Sequence, residues 1–343
     1  MTTTILDSAG AATPSDSAKQ AKVLVSILNW NGASKTLKCL ESVDRELALT
    51  TAEVKVLVID NGSRPDDVAA LKAGMTAHNA TLKCVPQNLG FTGGHNIAIN
   101  QATAEGYDFI WLLNNDATVA PGTLASLVST IQKNPLCGAV SPLLRDTDDG
   151  SIICCVSTHD WQKKTRTRIR SIDEARRLQA DDPASVWVDG TAVLFRVKAL
   201  AEVGPLDDRL FAYFDDNDIG VRLANRNWHS QCDFEATVFH ENKKRIEDFP
   251  LYLSYLLQRN EMLFWHKNTP SQYRRVLTLK MIDRGLFDAN KLRKNGFAGH
   301  ADAALLGLYD FMKNKFGPPD YQRKVPLIIR MASKASALFY AYK

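Results

Sequence analysis

Four short apolar runs, each stopped by a cluster of Asn, Asp and Gly, constrain this chain more than any other feature. Residues 23–28, 54–59, 81–85 and 109–113 have strand length and are rich in β-branched and aliphatic side chains. The polar stops are Asn29-Trp-Asn-Gly32, Asp60-Asn-Gly-Ser63, the Gly-rich stretch from Asn88 to Asn96, and Asn114-Asn-Asp116. Between the runs lie helical patterns, such as Leu37, Leu40, Val43 and Leu47 on one face. Pro65 suits the start of a second helix and Pro121 opens another to about residue 134, before a fifth strand at 138–141. Strands alternating with helices predict an α/β fold with a mostly parallel central sheet and right-handed crossovers. Ligands of such sheets bind outside the carboxyl ends of the strands. One crevice can therefore collect all four polar stops.

The rest of the chain is less regular. Residues 146–182 are polar and basic, with Lys163, Lys164, Arg166, Arg168 and Arg170, and read as an excursion over the surface. Strand character resumes at 185–188, 192–195 and 232–239, the last ending at His240. Beyond about residue 249 the spacing of Leu253, Leu256, Leu257 and Phe264 predicts helices. The first 20 residues, rich in Thr, Ser and Ala, read as a disordered tail without the basic start and apolar stretch of a signal peptide. No apolar run is long enough to span a bilayer. The six cysteines form no C-x-x-C pair, which disfavours zinc and fits a reducing cytoplasm. A formal charge of +4 is too modest to call for nucleic acid.

Carboxylates are the chemically loaded residues. Phe211-Ala-Tyr-Phe-Asp-Asp-Asn-Asp218 sets Asp215, Asp216 and Asp218 at a helix start, and Asp116 closes the fourth strand. Like charges repel, so a fold that gathers them points to a metal, a cation or proton transfer. Asp218 and Arg222 are four apart and can pair on the helix, which leaves Asp216, or else Asp215, to face the crevice. Asp116 suits Mg²⁺ or Mn²⁺, which take one or two carboxylates beside substrate phosphates. His240 at a strand end is a second candidate ligand. Lys243, Lys244 and Arg245 can neutralise a leaving diphosphate. Each has a plainer explanation. Asp60 can be a turn residue bonding its own backbone, Asp116 and Asp215 can be helix caps, and the Asn88–Asn96 loop can be a tight connection rather than a phosphate cradle.

Taken together these stretches resemble the family 2 glycosyltransferases, and most of all the rhamnosyltransferase-type members that build bacterial surface polysaccharides. The marks run from about residue 22 to 270: Val25-Ser-Ile-Leu-Asn-Trp-Asn31, Val58-Ile-Asp-Asn-Gly-Ser63, Asn88-Leu-Gly-Phe-Thr-Gly-Gly94, Leu112-Leu-Asn-Asn-Asp116, Phe214-Asp-Asp-Asn-Asp218 with Arg222, and Arg259-Asn260. The resemblance implies a GT-A catalytic domain over 21–248, a C-terminal helical region over 249–343, a nucleotide-sugar donor and a divalent metal, Mn²⁺ or Mg²⁺. Asp60 matches the nucleotide-binding Asp, with Asn29, Asn31, Asn88, Gly93, Asn96, Asn114 and Asn115 around the donor. Asp116 matches the metal ligand of the D-x-D motif, and His240 a second ligand found in several members. Asp216 matches the catalytic base, with Asp215 beside it; Arg259, Lys243 and Lys244 are expected at the diphosphate or acceptor. Two positions depart from the family: Asn114 replaces the first Asp of D-x-D, and Asp215 replaces a Glu.

The implied reaction is inverting transfer of a sugar, rhamnose from dTDP-rhamnose first and a UDP-sugar second, to a hydroxyl of a glycan or lipid-linked saccharide. Acceptor specificity is expected in residues 146–189 and the C-terminal helices. The basic, amphipathic last helix predicts either peripheral contact with the inner face of the cell membrane or packing on the catalytic domain or a second copy. Two other classes compete. A non-catalytic sugar-nucleotide or glycan binding module is disfavoured by the presence of Asp116 and Asp216. A sugar nucleotidyltransferase is disfavoured because Asn29-Trp-Asn-Gly32 stands where it would carry a basic Gly-rich phosphate loop.

Overall fold

The computed structural model describes residues 20–241 and 245–341. Of the tail expected over 1–20, all but Gln20 lies outside the described residues, as do Lys243 and Lys244. The strands are β1 (Lys22–Asn29), β2 (Glu53–Asn61), β3 (Thr81–Val85), β4 (Phe109–Asn114), β5 (Thr118–Val119), β6 (Cys137–Asp146), β7 (Ile152–Cys154), β8 (Val156–Asp160), β9 (Thr165–Ile169), β10 (Val186–Trp187), β11 (Ala192–Arg196) and β12 (His229–His240). The helices are α1 (Ala33–Leu47), α2 (Pro65–Met75), α3 (Gly90–Ala104), α4 (Thr123–Lys133), α5 (Ile172–Asp181), α6 (Val197–Val203), α7 (Asp215–Ala224), α8 (Leu251–Asn268), α9 (Ser271–Lys294), α10 (Ala298–Met312) and α11 (Leu327–Ala341).

Among the described residues a nine-stranded sheet runs β3-β2-β1-β4-β11-β6-β12-β5, with β7 on β6. Its first four strands are parallel, as the alternating pattern predicts, and β6 and β12 are also parallel. β11 enters antiparallel between β4 and β6, so the sheet as a whole is mixed. The first runs are continuously apolar because β1 and β4 are covered on both faces. Val23, Val25 and Ile27 join one core with α1, and Leu24, Ile110 and Leu112 join the other with α3.

Register then aligns the polar stops. Asn29 pairs with Asp60 across β1 and β2, and Leu28 with Asn114 across β1 and β4. β5 and β12 run antiparallel, Val119 opposite Val238 and Thr118 opposite Phe239. This brings Asp116 beside His240. Buried Glu46 at the end of α1 fixes β5 in place: its two oxygens accept from the amides of Gly122 (2.8 Å) and Leu124 (2.7 Å), where the N-terminus of α4 attracts negative charge.

The 146–182 stretch is more than a surface excursion. β8, β9 and β10 form a separate three-stranded antiparallel sheet that closes one side of the crevice. A third core belongs to the C-terminal helices. Tyr255, Phe264, Trp265, Leu305 and Leu306 pack there with Leu210 and Phe214, the residues that lead into α7. The helices therefore stand directly behind the acidic motif.

Candidate active site

A cleft of about 650 Å³ opens at the carboxyl ends of the strands. Asn114, Asp116, His240, Asp215 and Asp216 line it, so the two acidic motifs share one cavity although about 100 residues separate them. Asn29, Asn31, Asp60, Asn88, Gly93, Asn96 and Asn115 are not among its lining residues. Their side chains lace the surrounding loops together. Buried Asn29 donates to Asp60 Oδ2 (3.0 Å), Ser63 Oγ (3.2 Å) and Asp67 Oδ2 (2.9 Å), and accepts from Thr36 Oγ1 at 2.7 Å. Asp60 also accepts from the Ser63 amide, the turn contact expected of an Asp in that place. Asn31, at φ 51°, accepts from the Arg64 amide, and Asn115 donates to Thr36 Oγ1. Asn88 caps the Gly90 amide at the start of α3, the helix that contains Gly93. Asn96 is buried against Leu206 and Asp208.

At one end of the cleft Asp116 Oδ1 lies 3.1 Å from His240 Nε2, and Lys35 Nζ lies 3.8 Å from Asp116 Oδ2. Burial alone would raise the Asp116 carboxyl. The hydrogen bond and charge of His240, with the charge of Lys35, hold it below the ordinary Asp value. Burial would lower His240, but the bond and charge of Asp116 and the charge of Asp189 raise it. A carboxylate and an imidazole at the cleft surface fit a divalent cation that completes its shell with substrate phosphates. The imidazole favours Mn²⁺ over Mg²⁺. Among the described residues no third His, Cys, Asp or Glu joins them in a metal-binding group.

At the other end α7 presents the acid pair from an unusual turn. Phe211, Tyr213 and Phe214 all have left-handed φ, 64°, 68° and 69°. Each such non-glycine residue costs on the order of 1–3 kcal/mol, so the turn needs external support. Arg259 and Asn260 of α8 supply it. Asn260 Nδ2 donates to the carbonyls of Leu210 (2.8 Å), Ala212 (2.7 Å) and Tyr213 (3.0 Å). Arg259 donates to the carbonyls of Arg209, Leu210 and Gly317. This corrects the expectation that Arg259 meets a diphosphate or acceptor: it is fully buried and its guanidinium is occupied by backbone. Gly90, at φ 75°, allows the closest approach, since a Cβ there would lie 2.2 Å from the Phe211 carbonyl oxygen. Asp218 bonds Arg222 at 2.9 Å, the pairing expected from spacing, and also Lys267.

Burial raises the pKa of both Asp215 and Asp216. The charge of Asp216 adds to the effect on Asp215, which is pushed well above the ordinary value, and the charge of Asp189 adds to the effect on Asp216. Asp216 is the better stabilised anion, because Asn217 hydrogen-bonds it and the Arg166 cation opposes the neighbouring acids. A proton shared by the pair therefore rests on Asp215, leaving the charge on Asp216.

Comparison with known proteins agrees with this geometry. Residues 20–259 match the model of the family described as "Glycosyltransferase like family 2". The chain belongs to that family. Among its relatives is the N-acetylglucosaminyl-diphospho-decaprenol L-rhamnosyltransferase of Mycobacterium tuberculosis, 29% identical over 224 residues, covering 59% of this chain and 71% of that one. The galactofuranosyltransferase GlfT1 of the same organism is 29% identical over 204 residues, covering 58% and 64%. A mannosyltransferase of Pyrobaculum calidifontis, solved with GDP-Man and Mn²⁺, superposes at TM-score 0.53 with 16% identity over 94% of this chain and 88% of that one. S. aureus TarS with UDP-GlcNAc superposes at 0.53 with 12% identity over 93% and 88%. These likenesses establish the GT-A fold with C-terminal helices for this family 2 chain.

Several cleft residues of this glycosyltransferase family member escape a reading by motif. Arg166 and Arg168 of β9 line the cleft, as do Asp189, Gly190 and Thr191. Arg168 pairs with Asp189 at 2.9 Å, and Asp189 also accepts from the amide and hydroxyl of Thr191. The period-two pattern of Thr165-Arg-Thr-Arg-Ile169 was the available signal, because it puts both arginines on one face of a strand. Asp189 carries no such signal; only the pairing of β10 with β8 brings it to the site.

Proposed function

We propose that this chain is an inverting, divalent-metal-dependent glycosyltransferase that moves a sugar from a nucleotide diphosphate to a hydroxyl of a lipid-linked or growing surface glycan. The observation that carries the reading is the pair of chemistries in one cleft, Asp116 with His240 at one end and Asp215 with Asp216 at the other. Asp116 and His240 would hold the cation, which when bound offsets the charge developing on the leaving diphosphate. Asp216 accepts the proton of the acceptor hydroxyl as that oxygen attacks the anomeric carbon from the face opposite the diphosphate. A single displacement inverts the anomeric configuration. Asp215, holding the shared proton, keeps the Asp216 charge from facing a second anion.

Rhamnose from dTDP-rhamnose is the first donor to test, then UDP-sugars including galactofuranose, because the relatives are named for rhamnosyl and galactofuranosyl transfer. The acceptor enters between β9 and α8, whose Arg166, Arg168, Tyr252, Leu253 and Leu257 line the outer cleft. A lipid-linked acceptor accords with the surface of α11, where Leu327, Ile328 and Met331 are exposed beside exposed Lys324, Arg330 and Lys334. Such a face can lie on an anionic membrane. No helix among the described residues is long and apolar enough to cross one.

The test is a thermal-shift panel of dTDP-rhamnose, UDP-galactofuranose, UDP-GlcNAc and GDP-mannose with and without Mn²⁺, followed by NMR of the product anomer. One donor should stabilise the protein, more so with Mn²⁺, and its product should be inverted. A retained anomer, or equal stabilisation by every donor with no effect of Mn²⁺, would refute the reading.

A further inference from the structure

Asp216 is not held by its own helix alone. The Asn217 amide (2.8 Å) and the Asn217 side-chain Nδ2 (2.7 Å) both donate to Asp216 Oδ1. The other end of the same carboxamide, Oδ1 of Asn217, lies 3.0 Å from His159 Nε2. Asn217 is fully buried, so its orientation is fixed by these partners. Turning the amide over would set its oxygen against a carboxylate oxygen, which is repulsive. The carboxamide therefore donates to Asp216 and accepts from His159, which requires the proton of His159 on Nε2.

His159 is itself held tightly. It comes from β8, on the small antiparallel sheet, and its ring stacks between Trp187 (5.1 Å, 17°) and Phe264 (4.9 Å, 29°), with Trp265 edge-on at 5.7 Å. Three parts of the fold thus meet at this ring: β8, β10 and the C-terminal helix α8. We infer that His159 and Asn217 form a positioning chain for the catalytic base, in which His159 orients Asn217 and Asn217 fixes one oxygen of Asp216 so that the other faces the acceptor hydroxyl. This deepens the proposed function and rests on Asp216 being the base.

Every donor in the chain points toward the carboxylate, so the chain favours the ionised form. The groups facing Asp216 are Asp215 of its own helix, Asp189 across the cleft, and Arg166 and Arg168 of β9. Burial, aided by the Arg166 charge, lowers the His159 pKa to about 4, although the Asn217 bond works against the shift. The ring is therefore neutral at physiological pH and acts as a fixed dipole rather than a proton carrier.

The substitutions separate packing from donation. His159→Phe keeps a ring between Trp187 and Phe264 but removes the donor, and His159→Gln places an amide N–H near the lost Nε2–H. Asn217→Ala removes the donor to Asp216 itself. A hydrogen bond to a charged group is worth enough for kcat in dTDP-rhamnose turnover with Mn²⁺ to fall about 10–100-fold in Asn217→Ala. Its acid limb should move up by about one pH unit, with the donor KM unchanged. His159→Phe should show the same pattern more weakly, and His159→Gln should recover toward the native protein. Independently of turnover, ¹⁵N NMR of the full chain should find His159, assigned by its loss in His159→Gln, as the Nε2–H tautomer without a titration near pH 6.5.

Asp216→Asn is the control. If it retains turnover, the base assignment fails whatever the other variants do. If it is inactive while Asn217→Ala and His159→Phe keep the native acid limb and kcat, or if His159 is the Nδ1–H tautomer, the positioning chain is wrong and the base assignment stands.

Discussion

Replacing Asn260 with alanine should damage catalysis from outside the cleft. Asn260 is fully buried, and its side-chain nitrogen serves three carbonyls at 2.7–3.0 Å in the turn that contains Phe211, Tyr213 and Phe214. Leaving two of these carbonyls unsatisfied costs about 1–3 kcal/mol each, so a loss of about 3 kcal/mol is a middle value. The unfolding entropy of a chain of this length, at about 2.1 cal/mol/K per residue, converts that to a Tm lower by about 4 °C. The kinetic effect should be larger than the stability effect implies. Three left-handed residues store on the order of 3 kcal/mol or more, and releasing them lets the start of α7 relax and carries Asp215 and Asp216 with it. Differential scanning fluorimetry reads the first quantity and steady-state turnover the second. The account expects a modest Tm loss, a fall in kcat of about tenfold or more, and Mn²⁺-dependent donor binding retained, because Asp116 and His240 hang on other strands. An Asn260→Ala protein with native Tm and native kcat would refute the clamp.

Three further outcomes follow. Asp215→Asn should raise Tm, because burial and the Asp216 charge raise the pKa of this carboxyl in the folded state. The folded state then binds more protons than the unfolded one, so the native protein loses stability as pH climbs from the ordinary Asp range toward the raised value. The variant should lack that decline, and an identical pH–Tm curve would contradict it. Asp116→Asn should abolish the Mn²⁺-dependent part of the donor thermal shift while leaving apo Tm within a few degrees; persistence of the Mn²⁺ effect would move the metal elsewhere. Ile328→Asp should cut low-salt sedimentation with anionic vesicles about tenfold, since each apolar side chain inserted contributes roughly 1.5–3 kcal/mol, and equal pelleting would remove α11 from the membrane account.

What could be foreseen from the residues followed physical rules of different reach. Strand runs doubly buried in parallel sheet are apolar without interruption, so β1, β2 and β4 were plain, and their polar stops located the crevice. The motifs at Asp116 and Asp216 were legible because carboxylates are costly to gather. His240 was legible only as a strand end; its contact with Asp116 depends on the antiparallel entry of the two-residue β5, too short for any periodic signal. Polar residues near a crevice were harder to sort. Asn29, Asp60, Asn96 and Arg259 look like ligands by type, yet each satisfies buried backbone or side-chain groups. Burial, which decides between these roles, is set by tertiary packing. His159 and Asp189 gave no signal because they matter only once the small sheet has folded onto α7 and α8.

The central claim is that Asp216 removes the proton from the acceptor. Its most direct measurement compares wild type with Asp216→Asn for turnover and for donor binding with Mn²⁺. The account predicts turnover down by several orders of magnitude with donor affinity nearly unchanged. Turnover within about tenfold of wild type, or donor binding lost together with activity, would contradict it and move Asp216 out of the role of base.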